Sequence, residues 1–244
     1  LKLVNKNYQV KKQSNLPTFY ANQISNKEIT LDENDSRHAI KSLRLKVNDT
    51  VKVVSGNGEL FITSIIESHP KKTVLSIQKR TIHEKETPLI LAFAPTKNND
   101  RNEWIIEKGI EIGMTLCIPI YTQNSERRKW NSDRMKKISI AAMKQSGRYW
   151  LPEINDPVNF NDFIISQQPD FKFIAHCKQA NKQSLKKLAD KTSAQLILIG
   201  PEGDFTKQEI ELAKSNKFKE ITLGNNRLRT ETACLAALSL MKIS

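Results

Sequence analysis

"LILIGPEGDF", residues 196–205, runs four apolar side chains into Gly200, Pro201, Glu202, Gly203 and Asp204. Thr206 follows, with Glu209 three residues on, the reciprocal pair that opens helices. The stretch therefore reads as strand, glycine turn and helix, the unit from which parallel α/β sheets are built. Turns of this kind often cradle phosphate. Here, however, the turn holds two acids, and neither Lys nor Arg occurs between Leu196 and Thr206.

The same alternation extends outward on both sides. "LILAFAP" (89–95) reads as a strand, residues 100–113 as a helix stopped by Gly113, and "TLCIPIYT" (115–122) as a strand. A helix is expected from Ser132 to Ser146 with Met135, Ile138, Ala142 and Gln145 on one stripe and Gly147 as its cap. "FKFIAHC" (171–177) reads as a strand, a polar helix follows around 181–190, and "EITLG" (220–224) is the last strand. Thr230 is placed to cap a final helix with Leu235, Leu238 and Met241 inward. The sum is a parallel sheet covered on both faces.

Upstream of about residue 84 the pattern differs. Short β pieces alternate with turn formers, and "SGNGEL" (55–60) reads as a hairpin with Asn57-Gly58 at positive φ. Asp35 or Ser36 is expected to cap a short helix there, with Ala39, Ile40 and Leu43 on one face. A small β-barrel with one helix is the natural product. The expected organisation is a polar lead over 1–18, a barrel over 19–84 and an α/β domain over 88–244.

The 244 residues carry a net charge of +13, with fifteen Lys and Arg against nine Asp and Glu in residues 1–86 and twenty-four against seventeen beyond. Such a balance fits a polyanion partner, with a solubility surface as the alternative. The longest apolar run, "ACLAALSLMKI", is too short to cross a bilayer, and no basic-then-apolar leader opens the sequence. A cytoplasmic protein without membrane attachment is expected. Cys117, Cys177 and Cys234 are widely spaced and read as buried free thiols, and no metal site is expected.

Ligands of parallel sheets bind beyond the carboxyl ends of the strands, so the loops at 200–205 and 223–229 are the candidate site. GxGxxG in a strand–helix turn and GxxxxGK[ST] are both absent. Glu202 and Asp204 would repel phosphate but tolerate a cationic nucleoside, which is the character of S-adenosylmethionine. The alternative is a tight turn with Glu202 solvated and Gly203 supplying positive φ.

"LILIGPEGDFTKQEIELA" (196–213) with "ITLGNNRLRTETACLAAL" (221–238) resembles the RsmE family of bacterial ribosomal RNA methyltransferases. "NEWIIEKGIEIG" (102–113), "MKQSGRYWLPEI" (143–154) and "SRHAIKSLRLKVNDTVKVVSGNG" (36–58) extend the resemblance along the chain in order. It implies a SPOUT-type domain with a C-terminal trefoil knot behind a PUA-like RNA-binding barrel. It also implies a homodimer, S-adenosylmethionine as methyl donor, and methylation of a uridine N3 in 16S rRNA of the small ribosomal subunit. The family more often has a second glycine at Asp204, and Asn226 and Arg227 depart from its usual loop.

With that resemblance, Arg229 is expected to stabilise a uracil anion or an RNA phosphate, and Glu231 to act as base or to orient it. The alternative pairs the two as an ordinary ion pair at a helix start. Leu198, Ile199, Gly200, Pro201, Glu202, Gly203, Leu223, Gly224, Leu228, Arg229, Thr230, Thr232 and Ala233 are the expected cofactor contacts. Arg37, His38, Lys41 and Arg44, with the first, third and fourth at i, i+4 and i+7, form an expected RNA strip, joined by Arg148 and Arg227. Glu103, Trp104, Glu107, Lys108 and Glu111 read as a solvated helix face with one anchoring Trp. Two other functions stay open: a non-catalytic RNA-binding assembly factor, and a related SPOUT enzyme acting on tRNA.

Overall fold

The computed structural model describes residues 16–25, 27–126, 129–166, 169 and 171–243; the expected polar lead lies outside them as far as residue 15. The chain divides into two compact units, one reaching Lys85 and including Met143–Leu151, the other formed by Glu86–Ala142 and the chain from Pro152 onward.

The first unit is a five-stranded sheet in the order β1-β3-β4-β5-β2. Its strands are β1 (Thr18–Tyr20), β2 (Glu28–Thr30), β3 (Thr50–Val54), β4 (Glu59–Glu67) and β5 (Val74–Ile82). β1 pairs parallel with β3 and the other pairs are antiparallel. The Lys52 N–H also donates to the Pro17 carbonyl (2.9 Å), so the unit begins before residue 19. Phe19, Ile29, Val53, Phe61 and Leu75, one from each strand, enter a single core.

The short helix α1 (Glu33–Arg37) is capped by Asp32, not by Asp35 or Ser36; Asp32 accepts the Asp35 N–H at 2.7 Å. Asp35 instead receives Lys144 Nζ (2.9 Å). A π-helical turn, His38–Ser42, follows. Ala39 is buried there, while Leu43 is 40% exposed, so the expected three-residue apolar face is incomplete. In the hairpin between β3 and β4 the positive φ values fall on Gly56 (79°) and Gly58 (92°), flanking Asn57. Gly58 is required: a Cβ there would lie 2.6 Å from the Trp150 ring. Trp150 Nε1 donates to the carbonyls of His83 (3.1 Å) and Glu84 (2.9 Å), which holds the 143–151 segment on this unit.

The second unit carries an eight-stranded parallel sheet. Its strands are β6 (Leu89–Phe93), β7 (Leu116–Tyr121), β8 (Glu153–Ile154), β9 (Val158–Asn159), β10 (Phe171–Ala175), β11 (Gln183–Ser184), β12 (Gln195–Ile199) and β13 (Lys219–Thr222). They run β11-β13-β10-β12-β6-β7-β8, with β9 on β7. β12 thus enters between β6 and β10, and the chain then passes β10 to form β13. Every residue of β6 and β12 is buried, as a strand covered on both faces requires.

Alternation divides those residues between two cores. Leu91, Phe93, Ile197 and Ile199 pack with α2 (Asn99–Ile112) and α7 (Thr230–Ile243), through Ile105, Ile106, Cys234 and Leu238. Ile90, Ala92, Leu196 and Leu198 pack with α4 (Phe160–Ser166) and α6 (Lys207–Ser215), through Phe160, Phe163, Ile210 and Ala213. Each fully buried Leu or Ile here stabilises by roughly 1.5–3 kcal/mol relative to exposure.

Helix ends follow the sequence closely in places. Gly113 stops α2 at φ 127°, and α3 spans Ser132–Ser146 with Gly147 at φ 71°. On α3, Gln145 is exposed and Met143 is buried in its stead. The Thr206/Glu209 capping box is formed. The expected helix over 181–190 shrinks to one turn, α5 (Leu185–Leu188). Among the described residues no helix is long and apolar enough to cross a membrane.

Candidate active site

A cavity of about 530 Å³ opens beyond the carboxyl ends of β10, β12 and β13. Ile199, Ile221, Leu223, Leu228 and Ala233 supply apolar wall, and Gly200–Glu202 faces Gly224–Thr230 across it. Its volume and its apolar wall, set among polar and charged side chains, suit a nucleoside-sized ligand.

The first loop is bonded throughout. Asp204 has φ 61° and is buried; its carboxylate accepts the Cys177 N–H (3.0 Å) and the Phe205 N–H (2.9 Å). Positive φ therefore falls on Asp204 and not on Gly203, which explains why glycine suits that position. Its carboxylate is bonded within the protein at the cavity lining, and Glu202 is the exposed acid of the turn. Gly200 is needed for another reason: a Cβ there would lie 3.0 Å from the buried Phe205 ring. Asn124 Nδ2 donates to the carbonyls of Gly203 (3.2 Å) and Asp204 (2.9 Å).

Thr230 does not cap α7; it is the first residue of the helix, and its hydroxyl donates to the Gly200 carbonyl at 3.2 Å. That bond ties the two loops together. The capping position belongs to Arg229, whose carbonyl accepts the Ala233 N–H (2.8 Å). Arg227 reaches across to the Glu202 carbonyl (3.3 Å).

Of the expected cofactor contacts, Ile199, Gly200, Pro201, Glu202, Leu223, Gly224, Leu228, Arg229, Thr230 and Ala233 line the cavity. Leu198, Gly203 and Thr232 do not. Leu198 points into the opposite core, and Gly203 packs on Asn124. Glu231 pairs with Arg101 (3.3 Å), not with Arg229.

Arg101, His176, Cys177 and Lys182 also line the cavity, and none was a sequence-based site candidate. The signal for the last three was their place just past "FKFIA", a strand end. Cys177 is exposed, contrary to the expected burial, while Cys117 and Cys234 are buried. His176 Nε2 meets Glu220 Oε1 at 3.0 Å, and its buried Nδ1 has no hydrogen-bond partner among the described residues. Burial holds this imidazole below its ordinary pKa, against the opposing pull of Glu220. Arg101, Lys182, Arg227 and Arg229 place four cations around the cavity, so its wall also accommodates an anion.

The expected RNA strip is altered. Arg37, His38, Lys41 and Arg44 are all exposed, but α1 ends at Arg37 and Arg44 sits at φ 56° outside any helix. The four do not form one helical stripe, and Arg37 pairs with Glu33 (2.7 Å). Arg148 is buried at 9% exposure. On α2, Trp104 is 43% exposed and anchors little, whereas Glu103 holds Arg134 by two bonds (3.1 and 2.7 Å).

A loop-lined cavity at the strand ends of a parallel sheet, without the glycine-rich phosphate motifs and rimmed by cations, is the kind of site in which α/β enzymes bind a nucleoside cofactor. A family model described as "RNA methyltransferase domain" matches residues 83–242, and one described as "RNA methyltransferase PUA domain" matches 31–78. The chain belongs to this RNA methyltransferase family. It is 31% identical, over 89% of its length and 91% of the relative's, to Ribosomal RNA small subunit methyltransferase E of Rickettsia conorii. A Porphyromonas gingivalis protein of known structure shares 32% identity and a TM-score of 0.86, with 91% of this chain and 95% of that one covered. The small subunit methyltransferase E of Neisseria gonorrhoeae, bound to S-adenosyl methionine, shares 26% identity and a TM-score of 0.83, with 93% and 96% covered.

Proposed function

We propose that the protein methylates N3 of a uridine in 16S rRNA of the small ribosomal subunit, with S-adenosylmethionine as donor. The cavity carries this reading: an apolar slot between two glycine loops, ringed by four cations from three segments of the chain. When bound, the cofactor supplies an electrophilic methyl group on a sulfonium. Ile199, Leu223, Leu228 and Ala233 would hold its adenosine, Gly200 and Gly224 would let the backbone approach it, and Glu202 would supply negative charge to the site.

The acceptor nitrogen carries a proton that must leave as the N–C bond forms. Glu231, at the first turn of α7, accepts or directs that proton. Arg229, exposed at the cavity edge, stabilises the negative charge developing on uracil. Arg227, Lys182 and the surface residues Arg37, His38, Lys41 and Arg44 meet RNA phosphates. The same reading includes a C-terminal trefoil knot, a homodimer, and a cytoplasmic site of action.

Incubation with methyl-labelled donor and small-subunit RNA, followed by mass-spectrometric mapping, tests it. Label on a uridine N3 is expected, with Arg229→Ala and Glu231→Gln each lowering kcat about 10²–10³-fold. Donor uptake without transfer to any RNA, or wild-type turnover in both variants, would overturn the assignment.

A further inference from the structure

Arg101 and Glu231 lie 130 positions apart in sequence, yet their side chains meet at 3.3 Å. The contact is built from both sides. Asn102, fully buried, takes the Thr96 N–H on Oδ1 (2.8 Å) and returns Nδ2 to the Thr96 carbonyl (3.0 Å), which locks the turn from β6 into α2. Asn98 caps the same helix by accepting the Asp100 N–H (2.8 Å). Across the gap, Thr230 is buried and bonded to Gly200, which locks the start of α7. Each member of the pair is therefore the immediate neighbour of a fixed, buried residue.

The guanidinium is 38% exposed and the carboxylate only 14%, and it is Arg101 that lines the cavity. A surface ion pair contributes little to stability, about 0–1 kcal/mol. A locked pair beside a cavity has another use: it limits the orientations open to the carboxylate. Glu231 alone has rotatable bonds enough to turn away from the acceptor. With Arg101 in place, its carboxylate is held against a guanidinium that itself lines the cavity.

Resting on the methyltransferase reading above, we infer that Arg101 is a positioning residue: it orients the Glu231 carboxylate for the proton that the acceptor nitrogen loses. Group orientation of this kind is worth up to about 10²-fold when lost.

The test is a double-variant cycle on the full chain, with kcat on small-subunit RNA and donor Kd by calorimetry. Arg101→Ala is expected to lower kcat about 10–100-fold with donor Kd within about threefold of wild type. Arg101→Lys should recover part of the loss. Arg101→Ala combined with Glu231→Gln should be no slower than Glu231→Gln alone, because the guanidinium then has nothing to orient. The inference falls if Arg101→Ala turns over like wild type, if its loss lies wholly in donor Kd, or if the two losses multiply. A wild-type protein that binds donor and methylates RNA under those outcomes leaves the functional reading standing; one that methylates nothing removes both.

Discussion

The loops at 200–205 and 223–229 face one cavity but are held differently. In the first, Asp204 takes two backbone N–H groups, Asn124 takes two backbone carbonyls, and Thr230 clasps Gly200. In the second, the bonds include a local turn between Thr222 and Gly224 (2.8 and 3.2 Å), the reach of Arg227 to Glu202, and the Arg229 carbonyl bonded into α7. Gly224 through Arg227 are all exposed, and a Cβ on Gly224 would meet nothing within 4 Å. One wall of the site is thus a preformed template, while the other has room to adjust around what enters. A template lowers the ordering cost of binding, and an adjustable wall admits a bulky second substrate.

If that contrast is right, substitutions should cost stability in the first loop and affinity in the second. The largest effect belongs to Asp204. Asp204→Ala strands two N–H groups and strains a left-handed backbone, and should lower unfolding free energy by about 3 kcal/mol in urea titration. Asp204→Gly relieves the strain and should recover about 1 kcal/mol of that loss. Equal stabilities for the two would show that φ does not matter there. Next, Gly200→Ala pushes on the Phe205 ring and should cost about 2 kcal/mol, read as a lower denaturation midpoint.

A smaller effect concerns His176. Its folded pKa lies below the unfolded value, so the unfolded chain binds more protons as acidity rises. Stability should be full above about pH 6.5 and fall as pH drops below it toward the folded value, and His176→Gln should flatten that slope. The smallest change in stability is expected for Asn226→Ala, within about 0.5 kcal/mol, while RNA or donor affinity shifts more. A loss of stability there matching that at Gly200 would erase the difference between the loops.

The alternation of apolar residues made the sheet legible, since Leu196 to Ile199 must be covered on both faces whatever surrounds them. Helix ends were legible where chemistry is local: the Thr206/Glu209 box and the stop at Gly113 depend on neighbours within four residues. Arg101 was not, because its partner is set by the packing of α2 on α7, and no short-range pattern carries that. Asp204 misled for the opposite reason. As an acid in a loop it reads as a charge offered to a ligand, and only the fold brings the Cys177 N–H to bond it. The strip from Arg37 to Arg44 failed as a helical face because a π turn shifts the angular phase after His38.

The insertion of β12 between β6 and β10 has a consequence for biogenesis. The centre of the sheet can be filled only after β6, β7 and β10 have been made and β12 follows, and its core is sealed only when α7 is added. Until then β6 lacks its inner neighbour and exposes an apolar strand edge, the kind of surface that chaperones recognise. Contacts this distant along the chain make for slow closure. A copy that still lacks β12 and β13 consequently has no donor pocket, so the donor cannot engage it.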